Sequence, residues 1–378
     1  MKIVIAVDSF KGSMSSLEAG EAVKEGILRA MDADIVVKPI ADGGEGTTDA
    51  LVAGLGGEKV PITVTGPRGN KVEASYGWLR ETGTAIIEMA EAAGIVLLGS
   101  EKKEPLKATS YGVGEMIRDA MDRGCRDFLI GIGGSATNDG GVGMLQALGF
   151  GFYDGEGKDV GLGAQCLERI VRVDTARRHP GLGECTFRVA CDVKNPLTGE
   201  NGATRVYGPQ KGVSGDMLQE LDRAMGHYAE VTKAATGRDE ALTAGAGAAG
   251  GMGFAFLSYL DGALEPGVDL VLEALELEES MRDADFVVTG EGCLDHQTAM
   301  GKVPVGVARL AKKHGAKVVA LAGGVKEGAQ ACNREGIDAF FSINPLLVPL
   351  EEAMRPEVAR KNMATVAEQV FRLVAAMR

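Results

Sequence analysis

Short apolar runs that close on an acid or on glycines, each followed by a helical pattern, recur along this chain, and that alternation leaves few folds open. Ile3 to Val7 is β-rich and ends at Asp8, and Ser15-Ser16-Leu17-Glu18 then forms a capping-box pattern ahead of a helix reaching about Met31. Ile35 to Ile40 reads as the second strand, the loop Asp42-Gly43-Gly44-Glu45-Gly46 follows it, and Thr47 starts a helix through about Leu55. Phe286 to Thr289, Val318 to Leu321 and Ala339 to Ile343 repeat the rhythm near the C-terminus, and a helix over Val358 to Met377 closes the chain. Such alternation implies a parallel sheet with helices on both faces.

The middle of the chain reads differently. Residues 60 to 90 hold strand-like pieces joined by the turn signals Gly66-Pro67 and Gly69-Asn70, as an antiparallel segment would, and helical patterns at Ser110 to Arg123 and Gly215 to Ala235 flank further strands. The expected fold is two α/β domains. A discontinuous Rossmann/flavodoxin-like parallel-sheet domain comes from residues 1–63 and 286–378, with a second, mixed α/β domain inserted at 64–285. An inserted domain of this kind predicts a cleft between two lobes that open and close.

Glycine accounts for 55 of 378 residues, twice the usual share of roughly 7 %. Hydrophobic residues still make up 45 % and no low-complexity tract appears, so the glycines belong to loops of a packed protein. A formal net charge of −13 spread along the chain argues against nucleic acid or an anionic membrane as partner. Small anions remain open as ligands, and a homo-oligomer is compatible with the sequence. No apolar stretch approaches the ~20 residues that span a bilayer, and Met1-Lys2 leads straight into strand with nothing like a signal peptide. Cys125, Cys166, Cys185, Cys191, Cys293 and Cys332 form no Cys-x-x-Cys pair, which suits buried free thiols in a reducing cytoplasm.

Residues 128–149 run from an apolar strand through Gly131-Ile-Gly-Gly-Ser-Ala-Thr-Asn-Asp-Gly-Gly into a helical pattern, as a phosphate site does. Gly133 and Gly134 let backbone N–H groups approach an anion, while Ser135, Thr137 and Asn138 add side-chain hydrogen bonds and the helix offers its positive end. Asp139 inside that loop implies either a bridging Mg²⁺ or a cap for the helix start. Asp8-Ser9-Phe10-Lys11-Gly12 and the Asp42 loop lie at the carboxyl ends of consecutive strands, where open parallel sheets place ligands, although both acids could simply cap turns. Asp192 and Asn195 again follow an apolar strand, as a base and a metal ligand could, although such spacing is common by chance. Lys211 sits in the turn Gly208-Pro-Gln-Lys-Gly and by itself reads first as a solvated loop lysine. Thr289-Gly290-Glu291-Gly292 and Asp295 lie just past a C-terminal strand, with Lys302 behind them.

Other chemistries have less support. Gly131 to Ala136 and Gly245 to Gly250 satisfy a loose G-x-G-x-x-G/A pattern, but the first breaks into Thr-Asn-Asp and the second follows no strand, so its small residues suit close helix packing or a helix start near a ligand. No Walker A sequence and no G-x-S-x-G elbow occurs, and His296, the one histidine in a motif-dense segment, reads as a surface residue. Phe254 and Phe256 read as helix packing.

Taken together, Asp8-Ser-Phe-Lys-Gly12, Ala41-Asp-Gly-Gly-Glu-Gly-Thr47, the Gly131 loop, Cys191-Asp-Val-Lys-Asn-Pro-Leu197, Gly208-Pro-Gln-Lys-Gly212 and Thr289-Gly-Glu-Gly292 resemble the type 1 glycerate kinase family nearly end to end. Departures are small: Val7 stands where the family often has proline, and Cys293-Leu294 where a basic residue and isoleucine are usual. The resemblance implies ATP- and Mg²⁺-dependent phosphorylation of D-glycerate, leaning to 2-phosphoglycerate, on a scaffold distinct from P-loop kinases. It implies that Gly133, Gly134, Ser135, Asn138 and Asp139 serve the nucleotide, that Lys11 and Lys211 neutralise phosphates, and that Asp42, Glu45 or Glu291 helps hold Mg²⁺. Asp192 is then the candidate base, and Ser9, Arg68 and Asn195 face the acceptor, whose carboxylate needs Arg68 or Lys211. The rival readings are a nicotinamide-dependent hydroxy-acid oxidoreductase and a non-catalytic, two-lobed anion-binding protein.

Overall fold

The computed structural model describes residues 1–99 and 103–377. Its strands in chain order are β1 (Lys2–Val7), β2 (Asp34–Val37), β3 (Glu58–Thr65), β4 (Lys71–Leu79), β5 (Thr84–Glu88), β6 (Asp127–Gly131), β7 (Gly151–Tyr153), β8 (Arg172–Asp174), β9 (Thr186–Ala190), β10 (Ala263–Glu265), β11 (Phe286–Leu294), β12 (Lys317–Val325) and β13 (Ala339–Ser342). The chain divides into two compact units. Met1–Asp42, Asp49–Gly56 and Val268–Arg378 make the first, and Gly43–Thr48 and Gly57–Gly267 make the second.

The first unit carries a five-stranded sheet in the order β13-β12-β11-β1-β2, parallel throughout. Strands of a parallel sheet are covered on both faces, so Ile3, Val4, Ile5, Ala6 and Val7 are apolar without alternation and all are buried. Ile3, Ile5 and Val7 meet Ala22, Val23 and Ile27 of the helix Ser16–Ala30, and Met363, Ala367 and Phe371 of the helix Pro356–Ala376. These two helices approach so closely that a Cβ on Gly26 would lie 2.1 Å from the Ala364 carbonyl oxygen. Val4 and Ala6 point the opposite way along the strand. The helix Val303–Lys313 packs against β1, β11 and β12.

The second unit is built on a six-stranded sheet, β10-β9-β6-β5-β4-β3, in which β3, β4 and β5 pair antiparallel and the rest pair parallel. The hairpin between β3 and β4 turns where Gly66 N–H reaches the Asn70 carbonyl at 2.6 Å and Gly69 takes a φ of +79°. Phe128 and Phe187 stack at 4.9 Å between ring centroids on adjacent strands β6 and β9. The short pair β7 and β8 is antiparallel.

Two element lengths differ from the sequence expectation. The second strand stops at Val37, and Ile40 N–H instead donates to Ser16 Oγ at 2.7 Å. The strand expected to end at Thr289 continues to Leu294, because β12 pairs alongside it through Glu291 opposite Ala322 and Cys293 opposite Gly324. Gly290 permits this. A Cβ there would lie 1.9 Å from the Leu321 oxygen. The Gly245 to Gly250 run is packing, as expected: a Cβ on Gly247 would meet the Pro196 oxygen at 2.2 Å, and Phe254 and Phe256 are buried in the helix Met252–Tyr259. All six cysteines are free thiols, but only Cys125, Cys166 and Cys332 are buried, Cys185, Cys191 and Cys293 being partly exposed at strand ends; among the described residues no helix is long and apolar enough to cross a membrane.

Candidate active site

In the second unit, β6 runs into the glycine loop and the short helix Val142–Ala147. Gly133 and Gly134 are exposed, with Gly134 at a φ of +70°, a conformation that suits glycine. Behind them the loop turns inward. Lys211 is 1 % exposed, and its ammonium donates to Ser135 Oγ at 2.7 Å and to the Thr137 carbonyl at 2.6 Å. Burial pulls its pKa down to about 7, against the opposing pull of the Asp139 charge. The solvated reading of this lysine is therefore excluded.

Asp139 is fully buried and takes the capping role of the two that its position allowed. Its carboxylate accepts from the Ser110 N–H and hydroxyl at 2.8 and 2.9 Å and from the Gly141 and Gly143 N–H groups at 3.3 and 3.4 Å. Ser110 Oγ in turn accepts from Met144 N–H. The positive end of this helix, expected to face a phosphate, is thus already occupied by the protein's own acid and hydroxyl. Asn138 is equally buried and turns its amide to Thr204 Oγ1 at 2.9 Å, while Asn138 Oδ1 and Thr137 Oγ1 have no hydrogen-bond partner among the described residues. Asn138 and Asp139 shape the loop from inside, Ser135 is buried against Lys211, and Gly133 and Gly134 form the exposed part.

Asp192 follows β9 and is exposed, with Oδ1 accepting from Gly267 N–H at 2.9 Å. Asn195 is held from both ends of its amide, donating to the Asn201 carbonyl at 2.8 Å and accepting from Tyr207 OH at 2.7 Å. Arg68, half-buried in the β3–β4 turn, donates to the Leu98 carbonyl at 2.9 Å. Glu88, which motif reading missed, ends β5 and is buried. Its carboxylate accepts from Thr48 N–H at 2.7 Å and Gly46 N–H at 3.3 Å, so it fixes the loop on which Glu45 stands exposed. The available signal was an acid at the carboxyl end of an apolar run, the same pattern that singled out Asp8.

In the first unit, acids gather at the carboxyl ends of β1 and β11. Asp8 is 5 % exposed and its pKa is pushed up to about 7, chiefly by burial and then by the nearby Asp42 charge, with Glu291 adding to it. Ser9 N–H at 2.6 Å from Asp8 Oδ1 and the Lys11 charge act in the other direction. Lys11 pairs with Asp42 at 3.6 Å. Glu291, buried within β11 instead of following it, accepts from Thr298 Oγ1, and burial raises its pKa as well. Asp8, Ser9, Lys11, Asp42, Glu291, Asp295 and Lys302 border one cavity. Among the described residues no group of three or more His, Cys, Asp or Glu side chains is already arranged to hold a metal ion.

Parallel strands ending in acids and glycines, with an ammonium buried under an exposed glycine loop, define an α/β protein equipped to handle an anionic small molecule. The sequence profile described as the Glycerate kinase family matches residues 3–375. The chain is 47 % identical over 356 residues to a protein of Escherichia coli named glycerate 2-kinase, covering 94 % of this chain and 93 % of that one. It is 45 % identical over 371 residues to a glycerate kinase of Halalkalibacterium halodurans, covering 97 % and 98 %. A crystal structure from Salmonella typhimurium, described provisionally as glycerate kinase 2, superposes with a TM-score of 0.92 at 44 % identity, over 100 % of this chain and 98 % of the other. The chain belongs to the glycerate kinase family, and it is an enzyme of the kinase class.

Proposed function

We propose that this enzyme transfers the terminal phosphoryl group of ATP, with Mg²⁺, to a hydroxyl of D-glycerate, the 2-hydroxyl being favoured. The observation that carries the reading is the Lys211 ammonium held by Ser135 and Thr137 beneath the exposed Gly133-Gly134 backbone. Phosphoryl transfer leaves little covalent work for a protein, which must neutralise charge, align a hydroxyl and accept its proton. Exposed backbone N–H groups at Gly133 and Gly134 and the Ser135 hydroxyl suit phosphate oxygens, and an anion beside Lys211 would favour its protonated form. Lys11 supplies a second ammonium.

The residues present fit Mg²⁺. Desolvated acids crowd together in the first unit, where Asp42 and Glu291 both raise the pKa of Asp8, and a divalent cation relieves such crowding. Asp42 and Glu291 would hold the ion, or Glu45 from its exposed loop, with phosphate oxygens completing the coordination as is usual for Mg²⁺. Bound there, the ion supplies charge neutralisation on the phosphates. Asp192 accepts the hydroxyl proton, its direction set by Gly267 N–H, while Arg68 pairs with the glycerate carboxylate and Asn195 keeps the neighbouring loop in place. Localisation in the cytoplasm accords with six free thiols.

Phosphorus NMR of the product formed from D-glycerate and Mg-ATP tests activity and position together. The expected signal is 2-phosphoglycerate. A 3-phosphoglycerate signal would reverse the regiochemistry, and no phosphoglycerate at all would remove the function.

A further inference from the structure

At the carboxyl ends of β1, β11 and β12, the first unit carries a half-open cavity of about 560 Å³. Sites of about 300–1,000 Å³ hold ligands of drug size, so this room exceeds what a three-carbon acid fills. The lining is of two kinds. Val325, Leu350 and Met354 present apolar surface, with Phe10 and Ile343 buried behind them, while Lys11, Lys302 and Lys326 bring positive charge beside the acids already described. Glycines keep the wall shallow: a Cβ on Gly323 would lie 2.6 Å from the Gly292 oxygen and 3.5 Å from the Phe10 ring. Ser9 Oγ and Ser13 Oγ, both buried at this lining, have no hydrogen-bond partner among the described residues. A buried hydroxyl left without a partner marks a place where a ligand or water completes the bonding.

We propose that this cavity seats the nucleoside of the phosphate donor, the base lying on the apolar wall and the Ser9 and Ser13 hydroxyls meeting its polar edge or sugar. The inference rests on the kinase reading above and moves Ser9 from the acceptor to the donor. Glycerate has no apolar face to match three accessible hydrophobic side chains. A nucleoside has a flat apolar face, which Val325, Leu350 and Met354 can cover, together with the hydroxyls and ring nitrogens that two serines can satisfy. Its phosphates carry the negative charge that the lysines on the same lining match.

Val325 is 39 % exposed, so Val325→Trp fills the cavity without disturbing the core, and Met354→Ala strips apolar wall. ADP and inorganic tripolyphosphate are titrated separately by calorimetry into the wild type and both variants, without glycerate. The expected result is ADP binding weakened about tenfold or more by Val325→Trp and about fivefold by Met354→Ala, with tripolyphosphate affinity and the KM for glycerate moving less than about twofold. Unchanged ADP affinity in the folded variants, equal weakening of ADP and tripolyphosphate, or a KM for glycerate that rises instead would each overturn the assignment. Should circular dichroism show Val325→Trp unfolded, Met354→Ala decides alone. A wild type that binds ADP but makes no phosphoglycerate would sink the kinase reading and leave the cavity assignment standing. One that makes phosphoglycerate while both variants bind ADP normally would sink the assignment only.

Discussion

Asp192 and Asp139 are both acids in loops that follow apolar strands, yet their surroundings separate them completely. Asp139 is enclosed by four donors and holds a helix start, whereas Asp192 stands exposed with Gly267 N–H fixing one oxygen. Only an accessible carboxylate can take a proton from a bound hydroxyl. Asp192→Asn keeps an acceptor for Gly267 N–H but has no basic oxygen. Steady-state kinetics should show kcat reduced by about 10²–10⁴ with ATP affinity nearly unchanged, and a near-normal kcat would take Asp192 out of the base role. Lys211 makes the same point from the other sign. Its turn residues are plain in the sequence, but that its ammonium points into the Ser135 loop follows from contacts 74 and 76 residues away.

Helix starts are written locally, and the clearest is Ser15. Ser15 Oγ accepts from Glu18 N–H at 3.2 Å, and Glu18 returns a carboxylate oxygen to Ser15 N–H at 2.8 Å, which holds the Glu18 pKa below its ordinary value. The helix they begin contributes Ala22, Val23 and Ile27 to the core of the first unit. Ser15→Ala should lower stability by about 1 kcal/mol in urea denaturation followed by circular dichroism, and an unchanged midpoint would show the cap to be dispensable. Strand ends are less local. The end of β2 is set by Ser16 Oγ capturing Ile40 N–H, and that of β11 by the length of its neighbour β12, so neither could be read from the apolar run alone. Glu88 escaped for a related reason: its purpose is to hold Gly46 and Thr48, some forty residues earlier in the chain.

Across the whole molecule, two buried groups give opposite pH dependences. Asp8 holds its proton up to about pH 7 in the folded chain but only to about 3.9 when unfolded, so its contribution to stability is present below that lower value and lost as pH rises to 7. Lys211 titrates near 7 folded and near 10.4 unfolded, so its contribution is present above the higher value and lost as pH falls to 7. In metal-free buffer without nucleotide, the Tm of Lys211→Met relative to wild type should fall as pH rises from 7 to 10, and that of Asp8→Asn should rise between pH 4 and 7. A difference that stays flat with pH for either variant would mean that the group titrates normally in the fold.

The order of strands and helices, the glycine loops and the identity of the acids and lysines that end the strands were all determined by the sequence itself, because periodicity, caps and turns depend on neighbours a few residues apart. Only the tertiary structure decided that Asp139 and Asn138 lie inside the loop, that Lys211 is enclosed, that Glu88 anchors the Gly46 loop, and that Phe10, Val325 and Met354 share one cavity. Burial and charge coupling depend on distances through space between residues remote in the chain, and those distances exist only once the sheets have formed.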